Sequence, residues 1–241
     1  YRARYAARHP GWQPATAVYE ALIRQAVSRT GATPVPLILL DLGCGRGGVL
    51  EQLTDLPDIR PLGLDPDHVS LRAHRLPDLP RAQATAEALP LPAAAADLII
   101  AAWVLEHLPD PARAFREVGR VLKPGGAFIF LTPNRHSPIA LLNRLLRPLQ
   151  RALVPRLYGR AEADTYPVVY RANTRRRIEA LARAAGMTLE TCRHVDDPTY
   201  LAFNDILFWL SAQVTRWLPH MAAVHLVGVC RKGEARCAWP G

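Results

Sequence analysis

Lysine is almost missing from this 241-residue chain: of 30 basic residues only Lys123 and Lys232 are lysines, and the other 28 are arginine. With heavy Ala and Pro usage, that bias points to GC-rich coding, so the net charge of +9 says less about partners than it would elsewhere. Cysteine is sparse. Cys44, Cys192, Cys230 and Cys237 show neither CxxC zinc spacing nor the density of a disulfide scaffold, so a reducing compartment is expected. No apolar run reaches the roughly 18–20 residues that a membrane-spanning helix needs, and the arginine-rich start has no apolar h-region. A cytoplasmic protein is therefore expected, and a start at Tyr1 instead of Met is what a trimmed N-terminus would give. No repeat of 20–50 residues recurs, which argues against a solenoid. His194, Asp196 and Asp197 lack the spacing of a known metal site, so no metal is expected.

What is present is an alternation of short apolar runs and helical patterns. "PLILLDL" (36–42), "RPLGLD" (60–65), a weak "RAQAT" (81–85), "ADLIIAAW" (96–103) and "GAFIFLTP" (126–133) read as strands. Between them, "GGVLEQLTDL" (47–56), "HVSLRAHRL" (68–76) and "PARAFREVGRVL" (111–122) read as helices, the last with Pro111 in its first turn. Parallel strands with crossover helices make a doubly wound α/β sheet. A ligand of such a sheet sits beyond the carboxyl ends of the strands, near the switch in strand order.

Residues 43–48, "GCGRGG", follow the first strand and satisfy GxGxxG through Gly43, Gly45 and Gly48. The pattern fits a plain tight turn, a dinucleotide or another adenosine-bearing cofactor. Asp41 separates the last two. A dinucleotide lays anionic phosphates on the turn, which a neighbouring carboxylate opposes, whereas S-adenosylmethionine brings a sulfonium and an ammonium. Asp65, closing the second strand, is placed to accept hydrogen bonds from ribose hydroxyls of either cofactor.

"LDLGCGRGG" (40–48), "GLDPD" (63–67), "AEALPLP" (86–92), "ADLIIAAWVLEHLPDP" (96–111) and "EVGRVLKPGGAFIFLTPN" (117–134) together resemble, in order and spacing, the motifs of class I S-adenosylmethionine-dependent methyltransferases of the small-molecule, ubiquinone-biosynthesis-like type. The resemblance is strong over residues 37–134 and loose elsewhere. It implies a Rossmann-like, doubly wound seven-stranded sheet with an antiparallel last strand, S-adenosylmethionine as cofactor, S-adenosylhomocysteine as product, and a bacterial enzyme. It places Gly43, Cys44 and Gly45 under the methionine part, Asp65 on the ribose, and Pro66 beside the adenine. Thr85, Ala86 and Glu87 fall where the family commonly has Asp-Ala-Glu, and Ala101 and Ala102 form the floor near the methionine moiety. Thr85 in place of the acid weakens one hydrogen bond to the adenine.

Methyl transfer mainly requires alignment, with a base only where the nucleophile must lose a proton. His107, in "EHLPDP", is the candidate base, with Glu106 as a neighbour of open role. Residues 1–35 are expected to form an N-terminal helical segment, 36–134 the cofactor core, 135–187 a basic helical lid, and 188–241 closing strands around an aromatic helix. Within the basic stretch, "SPIALLNRLLRPLQRALVPRL" (137–157) sets Ile139, Leu142, Leu146, Leu149 and Leu153 against Arg144, Arg147 and Arg151. Three readings of it stay open: a lid over an apolar or anionic acceptor, a peripheral membrane contact, or a solvated arginine face. Tyr158, Tyr166, Tyr170, Phe203, Phe208 and Trp209 suit either an acceptor pocket or the core. The expected function is methyl transfer to a small-molecule oxygen, without nucleic acid. A noncatalytic cofactor-binding module and an NAD(P)-dependent oxidoreductase are the alternatives, and the acceptor and oligomeric state are not legible.

Overall fold

A computed structural model describes residues 1–30, 36–56, 58–142, 145, 168–199, 202 and 204–234. Seven strands form one sheet in the order β3-β2-β1-β4-β5-β7-β6. They are β1 (Leu37–Leu42), β2 (Ile59–Asp65), β3 (Arg81–Gln83), β4 (Ala96–Ala102), β5 (Leu122–Pro133), β6 (Met187–Val195) and β7 (His225–Lys232). The first five pair in parallel, and β7 runs antiparallel between β5 and β6. This is the expected Rossmann-like sheet with its last strand reversed. The chain leaves β1 toward β2 and β3, then returns to β4 on the other side, so the switch in order lies between β1 and β4.

The strands are apolar because both faces are covered. One face carries Leu40, Ile99, Phe128 and Phe130 against Phe115, Val118, Ile178 and Leu181 of helices α4 (Pro111–Val121) and α5 (Arg175–Ala184). The other carries Leu39, Ile100, Ile129 and Val227 against Val18, Tyr19, Leu22 and Ile23 of α2 (Ala15–Thr30), which follows the short α1 (Arg2–Arg8). Asp110 caps α4 by accepting from the Arg113 amide at 3.0 Å, with Pro111 at the start, and Thr174 caps α5.

Several helical expectations shrink. The run at 47–56 is not a helix: it holds a four-residue 3₁₀ turn, Val49–Gln52. Gly47 and Gly48 spend their freedom on the preceding turn, and Gly47 sits at φ +116, outside helical backbone. The helix at 68–76 contracts to α3 (His68–Arg72), capped by Asp67 and ended before His74, whose Nδ1 accepts from the Leu76 amide. The strand at 81–85 keeps only Arg81–Gln83.

The "KPGG" turn is absorbed as an irregularity in the β4–β5 ladder, where Ala96 pairs with Leu122 and Leu98 with Ala127. Both lysines clip this end of the sheet. Lys123 Nζ donates to the Asp97 carboxylate at 2.8 and 2.9 Å, and Lys232 Nζ donates to the Leu122 carbonyl at 2.6 Å. The opposite, carboxyl end of the strands is thereby left for the site.

The final third holds α6 (Asp205–Trp217), capped by Asn204, before β7. Phe208 is buried, as a core residue would be, whereas Trp209 is exposed. Most of the amphipathic stretch at 137–157, together with Tyr158, Tyr166 and Phe203, lies outside the described residues; residues 138–142 are helical. No described helix is long and apolar enough to cross a membrane.

Candidate functional site

The glycine turn is held down by the end of β2. The amides of Gly43 and Cys44 donate to the Leu64 carbonyl at 2.7 and 3.1 Å, and the Gly45 amide donates to Asp65 Oδ2 at 2.9 Å. Gly43 and Gly45 both adopt positive φ, +76 and +50, where a side chain would strain the backbone. Three consecutive amides are thus already bonded within the protein. Asp65 also accepts the Asp67 amide through Oδ1 at 2.8 Å, so its carboxylate first shapes the turn before it can meet any ligand.

Cys44 is placed differently from the rest of the turn. Its thiol is buried against Gly63, where a Cβ would come within 2.8 Å of the sulfur, and burial pushes the thiol up to about 12. Cys44 therefore offers a ligand its backbone and not its sulfur.

Asp41 is 6% exposed and lies beneath the turn on the α2 side of the sheet, where its charge is felt by the enclosed phenol of Tyr19. Burial, and then the nearby Asp65 charge, push its carboxyl up to about 7. Among the described residues no side-chain or backbone donor is hydrogen-bonded to it. A buried acid of this kind is relieved by a cation.

The rim follows. Pro66 is exposed and its carbonyl accepts from Gln83 Nε2 at 2.8 Å, joining the ends of β2 and β3. Thr85 is exposed, Ala86 is buried, and Glu87 keeps Oε1 buried with no hydrogen-bond partner among the described residues. Ala101 is wholly buried and Ala102 half-buried at the end of β4. These groups fit a nucleoside carrying positive charge: a bare acid below, hydroxyl and carboxylate acceptors along one edge, and small side chains at the floor.

Beyond β4 stand Glu106 and His107, which the sequence singled out, and Trp103 and Thr132, which it did not. Trp103 has φ +61 although it is neither glycine nor asparagine, and its ring is 41% exposed, edge-on to His225 at 5.0 Å. Its amide donates to the Leu131 carbonyl, which holds this conformation. Glu106 is buried, and burial pushes its carboxyl up to about 7. Thr132 Oγ1 donates to Glu106 Oε2 at 3.0 Å, and Asn173 Nδ2 donates in turn to Thr132 Oγ1. Asn173 thus belongs to a buried polar chain, and Thr174 alone caps α5. His107 sits at the edge of this chain, partly exposed, with Nε2 4.0 Å from Glu106 Oε1.

His194, Asp196 and Asp197 do not converge with this site. Asp197 accepts from Thr199 and pairs with Arg2 at 3.3 Å, while His194 packs edge-on against His220.

The comparisons follow this geometry. Residues 40–130 match the pattern of the methyltransferase domain family. Over that segment the chain is similar to the methyltransferase domain family. A described probable S-adenosylmethionine-dependent methyltransferase of Mycolicibacterium smegmatis is 36% identical over 121 residues, covering 49% of this chain and 43% of that protein. A ubiquinone biosynthesis O-methyltransferase of Pseudomonas putida is 37% identical over 112 residues, covering 43% and 47% respectively. The matched segment spans less than half the length of these curated relatives. Among solved structures, a methyltransferase of Mesorhizobium loti superposes with a TM-score of 0.55 at 21% identity, covering 86% of this chain and 96% of that one. A geranyl diphosphate C-methyltransferase of Streptomyces coelicolor gives 0.61 at 14% identity, covering 88% and 78%. These likenesses concern the fold. The name of the Mycolicibacterium smegmatis relative carries S-adenosylmethionine, the cofactor that the resemblance of the five motifs implies.

Proposed function

We propose that the chain transfers a methyl group from S-adenosylmethionine to an oxygen of a small-molecule acceptor and releases S-adenosylhomocysteine. The observation that carries the reading is Asp41: a buried, unpartnered acid beside a glycine turn whose amides are already bonded to β2. Such a turn offers a pyrophosphate fewer donors, since the Gly43, Cys44 and Gly45 amides are already spent on β2. The four-residue 3₁₀ turn that follows brings little helix dipole. A cationic, phosphate-free nucleoside gains from the same acid. This disfavours the oxidoreductase alternative.

The bound cofactor supplies a methyl group on sulfonium sulfur, and the carbon–sulfur electron pair stays with the departing neutral thioether. His107 takes the proton that the acceptor hydroxyl loses as its new carbon–oxygen bond forms. Glu106, fixed by Thr132 and Asn173, orients His107 and stabilises its protonated form. Gly43, Cys44 and Gly45 contact the methionine part through backbone, Asp65 and Glu87 accept from sugar and base, Pro66, Thr85 and Ala86 border the adenine, and Ala101 and Ala102 leave room at the floor. Transfer to oxygen is favoured by the likeness to O-methyltransferases.

Calorimetric titration with S-adenosylmethionine, S-adenosylhomocysteine and NAD tests the reading. Micromolar binding of the first two without NAD is expected, and binding of NAD alone overturns it. Cofactor binding with no turnover across hydroxylated acceptors would favour the noncatalytic alternative.

A further inference from the structure

A cavity of about 510 Å³ opens beside the acceptor end of the site, lined by Pro109, Asp110, Pro111, Ala112, Arg135, Arg171 and Arg177. Three arginines line it: Arg135 from the segment after β5, and Arg171 and Arg177, which lie on either side of Asn173. Arginine-rich coding scatters arginines over a surface, whereas here Arg135 shares a hollow with two arginines from a distant segment.

Their surroundings compensate the charge only in part. No carboxylate among the described residues forms an ion pair with Arg135, Arg171 or Arg177. Asp110, the one acid among the lining residues, spends Oδ1 on the Arg113 amide as the cap of α4 and offsets one of the three charges. The remaining excess of positive charge is relieved by an anion.

The Arg171 guanidinium and the backbones of Arg135 and Arg177 are held in place. Arg171 Nη1 donates to the Pro109 carbonyl at 2.5 Å. The Arg135 amide donates to the Asn173 carbonyl at 2.9 Å, and the Arg177 amide donates to the Thr174 cap at 3.2 Å. Restraint lowers the entropy lost when a ligand is gripped, and planar guanidinium forks match the paired oxygens of phosphate and carboxylate.

Position gives the hollow its meaning. His107 and Pro109 are two residues apart, so their Cα atoms are separated by at most about 7 Å. The same Asn173 that bonds Thr132, and through it Glu106, receives the Arg135 amide at its carbonyl. We infer that Arg135, Arg171 and Arg177 form an oxyanion subsite that holds a carboxylate or phosphate group of the acceptor while its hydroxyl lies at His107. This rests on the methyltransferase reading and narrows it to acidic acceptors.

The test titrates the full chain with inorganic phosphate and, separately, citrate, against chloride at matched ionic strength. Amide shifts of Ala112 and Arg177 are followed by nuclear magnetic resonance, and S-adenosylhomocysteine affinity is measured on the same samples. Saturable millimolar binding of phosphate or citrate is expected, and whichever binds tighter identifies the acceptor's acidic group. The double substitution Arg135→Gln with Arg177→Gln should weaken that binding at least tenfold and leave S-adenosylhomocysteine affinity unchanged. The lysine pair at the same positions should lose less, since charge remains without the fork. All three arginines are exposed, so these variants retain the core. Titrations no different from chloride, or glutamine variants that bind like the parent, overturn the subsite. Failure of S-adenosylhomocysteine to bind the parent chain overturns the methyltransferase reading instead, and the phosphate result is read independently of it.

Discussion

The two halves of the sheet are built by different rules. In the first, β1, β4 and β5 are buried almost end to end, and the residues with chemistry stand just past their carboxyl ends, a few positions from the strand that carries them. In the second, β6 alternates in exposure, α6 is largely uncovered, and the groups that reach the site arrive singly from distant segments. The proposed cofactor side is local, and the proposed acceptor side is assembled. One side can be altered without the other, which makes the difference testable.

The largest effects should come from glycines, one in each half. A Cβ at Gly228 would lie 2.5 Å from the Thr191 carbonyl and 2.6 Å from the Phe130 ring, in the middle of the antiparallel ladder. Gly228→Val should cost about 3 kcal/mol of stability in urea denaturation. Gly43→Val combines φ +76 with a Cβ 2.4 Å from Val104 Cγ2 and should abolish measurable S-adenosylhomocysteine binding in calorimetry. If the first variant lost cofactor affinity while fully folded, the two halves would not be separable in this way.

His107→Ala should lower turnover by roughly 10²–10⁴-fold while changing cofactor affinity less than twofold. An unchanged rate removes His107 from the chemistry. Asp41 should show itself through pH. In the free protein its carboxyl is held up to about 7, so it is mostly protonated below that. A cationic ligand favours the ionised form, so cofactor affinity should rise from pH 5 to about 7 and then level, with proton release below 7. Asp41→Asn should flatten this profile and weaken binding by roughly tenfold. Asp41 and Glu106, both raised to about 7, also make the folded state bind more protons than the unfolded one between about 4 and 7. Stability of the free chain should therefore fall as pH rises through that window and level above it.

The smallest effect belongs to the uncovered helix. Trp217 is 87% exposed, and Trp217→Ser should change stability by less than about 0.5 kcal/mol. A larger loss would mean that α6 is covered in solution.

Legibility in the sequence follows the same division. Strands enclosed on both faces announce themselves as short apolar runs, and a glycine turn, a strand-ending acid and a proline-started helix are neighbours in sequence because they are neighbours in space. The turn and Asp65 at the end of its strand could thus be read directly, while the reversed last strand came only with the family resemblance. The helix expected at 47–56 could not be corrected from its pattern, since Leu50, Leu53 and Leu56 keep helical spacing while the backbone at Gly47 departs from it. Trp103 carried no signal, because a positive φ at a bulky residue is imposed by its surroundings. Asn173 carried no signal either, because its partner Thr132 is distant in sequence.

The linear order of residues determined the apolar strands, the glycine turn after β1 and the acid that ends β2, because each is a pattern a few residues long. Only folding decided that Asp65 fastens the glycine turn, that the Cys44 sulfur turns inward, and that three arginines share one hollow. Those outcomes depend on which distant segments meet, and burial, by excluding water, then raises the carboxyls of Asp41 and Glu106.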